Sequence, residues 1–396
     1  MSLPETVKFC KKCVISNQRP SSVVEFNNDS LKAKTVIQFD EEGVCQACRY
    51  AEIKDKNIDW KEREDQLLKL LDKYRSTNGS YDCIVPGSGG KDSAFTAHLL
   101  KYKYNMNPLT VTWAPHVYTD IGWKNFQKWI EGGGFDNILV TPNGKAHRLM
   151  TQLAFKNLCH PFQPFIIGQK IVGPRAALQN NIPLVFYGEN QAEYGNNIKD
   201  NETPLMNNDF FTDELSLDDL YIGGVSGRTL INEYDLSQSD LSLYMPLDKT
   251  LVKKRKIEMH YLGYYIKWDP QENYYYAVEN TGFTANEERT EGSYSKYSSI
   301  DDKMDTLHYL TSYIKFGLGR ATYDAAQEIR NGKIDREEGV NLVKLYDAEF
   351  PKKYFQDFLD YIKISQNEYW ETIDQARPKN LWKQDGNKWI LKTKVI

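Results

Sequence analysis

Eight consecutive residues carry the strongest chemical signal in the sequence: Pro86, Gly87, Ser88, Gly89, Gly90, Lys91, Asp92 and Ser93. They follow a short apolar run and precede a predicted helix. The unpaired backbone N–H groups at a helix N-terminus bind anions, and glycines let a phosphate approach the backbone without meeting a Cβ atom. The serine hydroxyls and the Lys91 ammonium add donors. The segment therefore predicts a phosphate-binding loop.

This segment is not a Walker A loop. That motif needs a glycine where Val85 stands and a hydroxyl residue where Asp92 stands. A carboxylate beside a phosphate is repelled unless a cation lies between them, so Asp92 is interpreted as a Mg²⁺ ligand, directly or through water. A plain strand–helix turn would need one or two glycines rather than this ordered set.

Four of the six cysteines form two CxxC pairs, Cys10 with Cys13 and Cys45 with Cys48. Two such pairs can complete one tetrahedral Cys₄ zinc site, and the ion would stabilise a segment that has little core of its own. Four thiolates leave no open coordination position, so we expect a structural Zn²⁺. An iron–sulfur cluster and a redox dithiol are the alternatives.

The other two cysteines carry no such pattern. Cys83 lies in a predicted strand and is interpreted as a small buried apolar residue. Cys159 precedes His160, but adjacent side chains point apart, so we do not expect a Cys–His nucleophile there.

Strands and helices alternate after Tyr81, which predicts an α/β fold with a parallel sheet covered on both faces. The predicted strands are 83–85, 109–113, 138–140 and 183–187, and the predicted helices are 60–75, 94–104, 123–130, 145–158 and 166–179. The loop at 86–93 then lies at the carboxyl edge of the sheet, where open α/β sheets bind ligands.

The 396 residues divide by composition into three predicted regions. Residues 1–60 form the cysteine-bearing segment, 61–260 the α/β domain and 261–396 a mostly helical region that contacts substrate or partner. Within the second region, residues 194–250 are rich in Asn, Asp, Ser and Gly and are interpreted as an insertion over the surface. The net charge of −4 and the lack of a basic stripe argue against a nucleic-acid partner. Without an apolar leader or spanning segment, we expect a cytoplasmic protein with no membrane partner.

Residues 88–93 read Ser-Gly-Gly-Lys-Asp-Ser, which resembles the signature of the PP-loop ATP pyrophosphatases at all six positions. The resemblance implies a Rossmann-like domain of the adenine nucleotide alpha hydrolase type. It implies that the loop holds the β- and γ-phosphates of ATP while a substrate oxygen attacks the α-phosphorus. It also implies that Thr112 and Trp113 contact the adenosine, and that Gly188, Glu189 and Asn190 form a second loop at the ATP site.

A narrower resemblance, to the N-acetyl sugar amidotransferases of bacterial lipopolysaccharide and nonulosonic acid biosynthesis, extends over nearly the whole chain. It is carried by residues 10–14, 39–45, 88–93, 160–165, 187–195, 291–296 and 315–322. Such enzymes convert an acetamido group of a sugar to an acetamidino group. The resemblance implies an N-acetylated sugar or sugar nucleotide as substrate. It also implies ammonia from a separate glutaminase, similar to the glutaminase and barrel subunits of imidazole glycerol phosphate synthesis.

The candidate site residues follow from this chemistry. Predicted catalytic residues are Lys91, Asp92, Glu189 and Lys296, and predicted substrate-binding residues are Gln163, Arg175, Glu193, Ser293 and Arg320. The two glutamates are candidates to bind metal or amide or to steer ammonium, and the arginines are candidate anion binders. Three further carboxylates read as metal ligands or, for the first two, as a helix cap: Asp301, Asp302 and Asp305.

Two other functions remain open on the sequence. A PP-loop tRNA-thiolating enzyme shares the zinc segment and the loop, but the thiolases with a catalytic cluster carry further core cysteines, and this core has only Cys83 and Cys159. An inactive zinc-ribbon scaffold would bind a nucleotide without turnover. The intact set at 88–93 argues against that scaffold.

Overall fold

The computed structural model of the chain describes residues 3–29, 31–32, 35–199, 202–386 and 388–396. In these residues the strands are β1 (Cys83–Pro86), β2 (Pro108–Trp113), β3 (Asn137–Val140), β4 (Leu184–Tyr187), β5 (Tyr221–Ile222), β6 (Val225–Ser226), β7 (Glu258–Tyr261), β8 (Trp382–Asp385) and β9 (Lys388–Leu391).

The helices of the N-terminal segment and the α/β region are α1 (Gln46–Lys56), α2 (Trp60–Tyr74), α3 (Lys91–His98), α4 (Asp120–Gly133), α5 (Gly144–Leu158), α6 (Gln163–Asn180), α7 (Gly227–Tyr234), α8 (Gln238–Leu241) and α9 (Lys249–Lys254). The C-terminal region has α10 (Leu262–Tyr265), α11 (Pro270–Thr281), α12 (Asp305–Phe316), α13 (Arg320–Arg330), α14 (Arg336–Tyr346), α15 (Phe355–Ile362) and α16 (Gln366–Gln375). In the part of the chain that the structure describes, no helix has the length and apolarity needed to cross a bilayer.

The central sheet has five parallel strands in the order β3-β2-β1-β4-β7. The predicted parallel α/β class is confirmed. The chain runs outward from β1 to β3 and then crosses back to β4 on the other side of β1. The order of connection therefore reverses between β1 and β4, and a crevice opens at the carboxyl edge where two neighbouring strands lead away in opposite directions.

Alternate side chains of the strands enter two separate cores, because successive residues of a strand point to opposite faces. Ile84 and Val185 pack against α5 and α6, whereas Cys83 and Val85 pack against α3 and α4. Cys83 is fully buried, as predicted. The crossover through α5 and α6 thus covers the sheet face opposite to α3. Right-handed connections that lead to opposite sides of β1 must cover opposite faces of the sheet.

Local chemistry explains where the helices next to the site differ from the predicted ones. The helix α3 begins at Lys91 rather than Ala94, since Gly90 is its N-cap. It ends at His98 in a π-helical turn over Leu99–Lys103. The helix α4 begins at Asp120, where the Thr119 side chain accepts a hydrogen bond from the Gly122 amide.

Residues 194–250 do not lie over the surface as expected. Their apolar residues join the same core as α6, in which Phe211, Leu220, Leu230 and Tyr244 are fully buried. These residues are distributed over several short elements and the loops between them, so the polar residues in between dominated the prediction. The strand β7 and the hairpin β8–β9 were also not predicted.

The cysteine-bearing segment packs on the C-terminal region. Cys10, Cys13, Cys45 and Cys48 share one apolar cluster with Ala325 and Ala326 of α13, Val340 of α14 and Val395 near the C-terminus. The segment and the helices α13 and α14 thereby complete one common core.

A buried lysine ties this assembly to the sheet. Lys54 of α1 is 1 % exposed, and its Nζ donates to both Glu193 carboxylate oxygens at 3.1 Å, to the Trp268 carbonyl at 3.0 Å and to Asn331 Oδ1 at 3.1 Å. All donors of the ammonium are satisfied. Glu193, predicted to bind substrate, is instead occupied by this ion pair on the loop that follows β4.

We expect Lys54→Met to lower the free energy of unfolding by about 3–5 kcal/mol, because it leaves the Glu193 carboxylate buried without a partner. Urea titration of the zinc-loaded protein measures this. The double variant Lys54→Met/Glu193→Leu should regain most of the loss. A single variant as stable as the wild type would contradict the assigned role of the pair.

Candidate functional site

The glycine-rich loop is held by tight packing at two of its three glycines. A Cβ atom on Gly87 would stand 2.2 Å from Ser93 Cβ. Gly89 has a φ of +85°, and a Cβ there would stand 2.7 Å from Phe126 Cα. Both positions need glycine for the loop to fold.

Gly90 is different, because the protein itself does not require glycine there. Its φ is −69°, in the extended region that any residue adopts. An added Cβ would meet only Ser88 Oγ, at 3.8 Å. Gly90 also precedes the free N–H groups of α3 and borders both cavities described below. Glycine at this position leaves room for a ligand to approach the backbone closely.

Side chains of the loop and of α11 fix the first turn of α3. Ser93 Oγ donates to the Gly90 carbonyl at 3.0 Å, and Asp92 Oδ1 accepts from Asn273 Nδ2 at 3.2 Å. The ammonium of Lys91 pairs with Asp92. Lys91 therefore lies beside the helix N-terminus, where the Asp92 carboxylate offsets its charge until an anion binds.

Two cavities meet at the loop and share Ser88, Gly90 and Asp92 as a common wall. The larger has a volume of about 390 Å³ and lies at the crevice between β1 and β4. The smaller, about 140 Å³, lies on the other side of the loop beside α4 and residues 297–301.

The larger cavity is walled by aromatic side chains and by few charges. Its aromatic residues are Trp113, Phe165, Tyr187, Tyr194 and Tyr261. Glu189 lies in it and accepts a hydrogen bond from the Tyr194 hydroxyl at 2.5 Å. Trp113 Nε1 is buried without a protein acceptor among the described residues. A cleft that combines aromatic rings with polar groups is suited to a planar base and a small organic substrate.

Lys170 also lines the larger cavity and was not identified from the sequence. It lies in the N-terminal half of α6, which runs back from the carboxyl edge of the sheet. Burial lowers the pKa of Lys170. The sequence gave no signal for it, because only the crossover of α6 brings this helix to the loop.

The smaller cavity contains Asp301 and Arg320. Ser88 Oγ donates to Asp301 Oδ2 at 2.8 Å. The backbone at Asp301 packs so closely on α4 that a Cβ on Gly122 would stand 2.5 Å from Asp301 Cα. Asp301 does not cap a helix, since α12 begins only at Asp305. The sequence predicts this carboxylate as a metal ligand or a helix cap, and its contact with the loop appears only in the fold.

Charged groups of both signs lie in or next to the smaller cavity. Burial raises the pKa of Asp301, and the neighbouring Asp302 adds to that shift while Ser88 opposes it. Burial also raises the pKa of Asp305, to about 7. Arg320 forms an ion pair with Asp324 at 3.0 Å and lies over the Tyr309 ring. The guanidinium therefore holds a fixed position next to the loop.

Several predicted site residues lie away from both cavities because backbone groups occupy their side chains. Gln163 donates to the Glu25 and Tyr221 carbonyls and accepts from the Gly223 amide. Arg175 donates to the Ser242 and Met245 carbonyls. Both fasten the 194–250 segment or its neighbours to α6.

Four further predicted site residues also have side chains that lie outside both cavities. Lys296 is exposed, and its Nζ donates to the Glu287 carbonyl at 2.9 Å. Ser293 donates to Asp324. Thr112 accepts from Asn137 on the far side of β2, and Asn190 Oδ1 accepts from the Ala192 amide. The structure brings none of these four side chains into the larger or the smaller cavity.

The four cysteines of the CxxC pairs form a compact and fully enclosed group. Their sulfur atoms all lie within 4.8 Å of one another. The distances from Cys10 Sγ to Cys48 Sγ and from Cys13 Sγ to Cys45 Sγ are both 3.8 Å. Four sulfurs at Zn–S distances of about 2.3 Å in a tetrahedron are about 3.8 Å apart. The donor set therefore fits one tetrahedral zinc ion.

This geometry disfavours the cubane alternative, in which each thiolate binds a different iron and the sulfurs stand farther apart. The surroundings fit a tetrathiolate site as well. Arg336 donates to the Cys13 and Cys10 carbonyls. Its positive charge and that of the buried Arg330 beside the cysteines offset the negative charge of a zinc tetrathiolate.

We expect elemental analysis to find about one zinc per chain. Cys45→Ser should lower both the zinc content and the free energy of unfolding, because the ion joins the two CxxC pairs within the segment that packs on α13 and α14. Cys83→Ser serves as the control that leaves zinc unchanged. A brown protein that contains iron would contradict the assignment.

Gly90→Ala should abolish ATP binding by calorimetry and leave the unfolding midpoint within about 2 °C, since its Cβ makes only an ordinary contact with Ser88 Oγ, at 3.8 Å. Gly89→Ala is the matched comparison and should destabilise the fold, because it combines strain at positive φ with a clash. Tight ATP binding by Gly90→Ala would exclude a phosphate contact at this amide.

Residues 291–395 match the family described as the LPS biosynthesis protein WbpG-like, C-terminal domain. The uncharacterized protein MJ1599 of Methanocaldococcus jannaschii is 32% identical over 80 residues, which is 20% of this chain and 28% of that protein. The match thus spans little more than a quarter of that relative's length.

Solved structures overlap the chain only loosely. NMN synthetase from Francisella tularensis gives a TM-score of 0.30 at 12% identity, covering 78% of this chain and 98% of that one. The U34-tRNA thiolase NcsA from Methanococcus maripaludis, solved with its [4Fe-4S] cluster, gives 0.28 at 13% identity, with 84% and 87% covered. At such scores these likenesses carry no argument about function. Residues 291–395, about a quarter of the chain, are thus similar to the C-terminal domain of the WbpG-like lipopolysaccharide-biosynthesis proteins.

Proposed function

We propose that the protein is an ATP-dependent amidotransferase that converts an acetamido group of a bacterial sugar into an acetamidino group. AMP and pyrophosphate are released, and a separate glutaminase with its barrel subunit supplies the ammonia. The proposal rests on the two cavities that lie on either side of the loop. The glycine-rich turn separates a small polar cavity from a larger aromatic one, with the Gly90 backbone open to both.

The reaction explains why ATP is used. An amide oxygen is a poor leaving group. When it attacks the α-phosphorus, a new P–O bond forms and the bond to pyrophosphate breaks, so that pyrophosphate leaves with the electron pair. Ammonia then adds to the imidate carbon, the C–O bond breaks and AMP carries the oxygen away. The amidine keeps the new nitrogen, and a proton passes to the solvent.

The two cavities accommodate different parts of this reaction. The β- and γ-phosphates lie in the smaller cavity, where the N–H groups of α3, Lys91 and Arg320 neutralise their charge. The nucleoside and the acetamido group share the larger cavity, with Trp113 against the base. This places the α-phosphorus at the common wall, open to attack from the larger side.

Two carboxylates beside the phosphates fit a role for Mg²⁺. Asp92 and Asp301 both border the smaller cavity, and burial raises the pKa of Asp301. Carboxylates so placed repel a phosphate unless a cation joins them. Bound there, Mg²⁺ would screen the charge of the departing pyrophosphate.

Glu189 is the candidate to receive ammonia. It lies in the larger cavity on the loop after β4, and the hydroxyl of Tyr194 orients its carboxylate. A carboxylate at this point attracts an ammonium ion and accepts the proton that must leave before nitrogen attacks.

The thiolase alternative finds little support in the site. Cys83 is buried within β1, and Cys159 ends α5 in a separate apolar core. No cysteine borders either cavity at the loop in the described residues. Sulfur transfer of that kind would need thiolates near the adenylated substrate.

The proposal is tested by incubating the protein with ATP, Mg²⁺, ammonium chloride and a panel of N-acetylated sugars and nucleotide-linked N-acetylated sugars. Pyrophosphate release should depend on both sugar and ammonium, and mass spectrometry should find one oxygen replaced by NH. Sulfur incorporation into tRNA without any response to sugars would overturn the proposal. ATP binding with no turnover on the whole panel would instead support the scaffold.

We expect Lys91→Ala to lower kcat for pyrophosphate release by about 10²–10³-fold, because one of the charges that stabilise the departing pyrophosphate is lost. Its zinc content should stay unchanged. Lys69→Ala, on the exposed face of α2, is the control. Full activity in Lys91→Ala would show that the phosphates lie elsewhere.

A further inference from the structure

Lys170 is the single cation among the described residues that line the larger cavity. The other charged side chains there are the carboxylates of Asp92 and Glu189. Lys91 and Arg320 border the smaller cavity instead. A phosphate that extends from the loop into the larger cavity therefore finds one positive side chain on that side.

Lys170 Nζ has no hydrogen-bond or ion-pair partner within the described part of the protein. Its Nζ lies 5.7 Å from the ring centre of Tyr187 and 5.9 Å from that of Phe210. Glu189 and Glu25 raise its pKa against the lowering by burial, but neither forms an ion pair with it. A partly buried ammonium that faces two rings and no carboxylate is costly to maintain.

Lys54 shows how this protein satisfies a buried lysine whose role is structural. Four acceptor atoms surround its Nζ at 3.0 to 3.1 Å. Lys170 has no such acceptors and opens instead to the cavity. The contrast indicates that the partner of Lys170 arrives with the ligand.

The topology of the sheet indicates which phosphate of ATP approaches Lys170. The loop and α3 lie on one face of the sheet and α6 on the other, with the crevice between β1 and β4 separating them. In the binding mode proposed above, the β- and γ-phosphates occupy the loop side. The phosphate that joins them to the nucleoside must enter the larger cavity and approach α6.

We propose that Lys170 is a catalytic residue whose ammonium binds the α-phosphate of ATP from the side of α6, opposite to the loop. This rests on the proposed function. As the amide oxygen attacks, the α-phosphorus gains a fifth oxygen and its non-bridging oxygens gain charge. Lys170 stabilises that charge and then the phosphate of the AMP that leaves. No proton is transferred from Lys170 in either step.

The first test needs no sugar. α,β-Methylene ATP, which cannot release pyrophosphate, is bound to the protein, and its ³¹P spectrum is recorded for wild type and for Lys170→Met. The α-phosphorus resonance should shift between the two proteins while the β and γ resonances coincide. Coincidence of all three resonances would overturn the proposal even if acetamidino sugar is formed. Lys145→Met on the exposed part of α5 is the control.

The second test is kinetic. Lys170→Met should lower kcat by about 10²-fold while the dissociation constant of ATP changes less than about threefold, because charge on the α-phosphate grows only in the transition state. Lys170→Arg should restore part of kcat, and Lys170→Gln should not. If only the KM for a nucleotide-linked sugar rises, Lys170 binds a substrate phosphate and the proposal is wrong. Thermal melting of each variant verifies that the fold is intact.

Failure of this proposal and failure of the proposed function are distinguishable. If no acetamido sugar reacts but the α-phosphorus resonance responds to Lys170→Met, the lysine is placed correctly and the substrate class is wrong. If sugars react and neither kcat nor the resonance responds, the substrate class is correct and Lys170 does not bind the α-phosphate.

Discussion

The structure depends on one topological constraint, the reversal of chain direction between β1 and β4. Right-handed crossovers that leave a parallel sheet in opposite directions must cover opposite faces. The helix α3 and the helix α6 therefore cannot close over the same strand ends, and the crevice between them stays open. The loop after β1 and the loop after β4 both end there, so the site is a consequence of strand order.

The C-terminal region completes this crevice. Residues 297–301 and Arg320 form the wall of the smaller cavity opposite to the glycine-rich loop. They lie within the residues that match the WbpG-like domain. The cysteine cluster packs on α13, the helix that begins with Arg320. The cysteine cluster thus supports, through α13, the position of Arg320 beside the glycine-rich loop.

The buried charged groups of the protein are of two kinds, which differ in how completely they are paired. Where a charged group is structural, as in the Lys54–Glu193 pair, its partners are complete and close. Around the cavities the partners are incomplete: burial raises the pKa of Asp301, and Lys170 faces rings and open space. Such unsatisfied groups are costly in a folded protein unless a ligand of opposite charge pairs with them.

The sequence by itself determined the elements and the chemistry that depend on neighbouring residues. The glycine spacing at 86–93, the two CxxC pairs and the strand–helix alternation are local patterns. They predicted the turn between β1 and α3, the clustering of the four cysteines and the parallel sheet. Side chains whose partners lie far along the chain could not be placed in this way. Gln163 and Arg175 resembled ligand-binding residues but bond to backbone groups more than 50 residues away. Lys170 gave no signal of a place in the site, and Asp301 was predicted as a metal ligand or a helix cap but not as a partner of the loop. Only the crossing of α6 over the sheet and the packing of residues 300–302 on α4 bring the two residues to the loop.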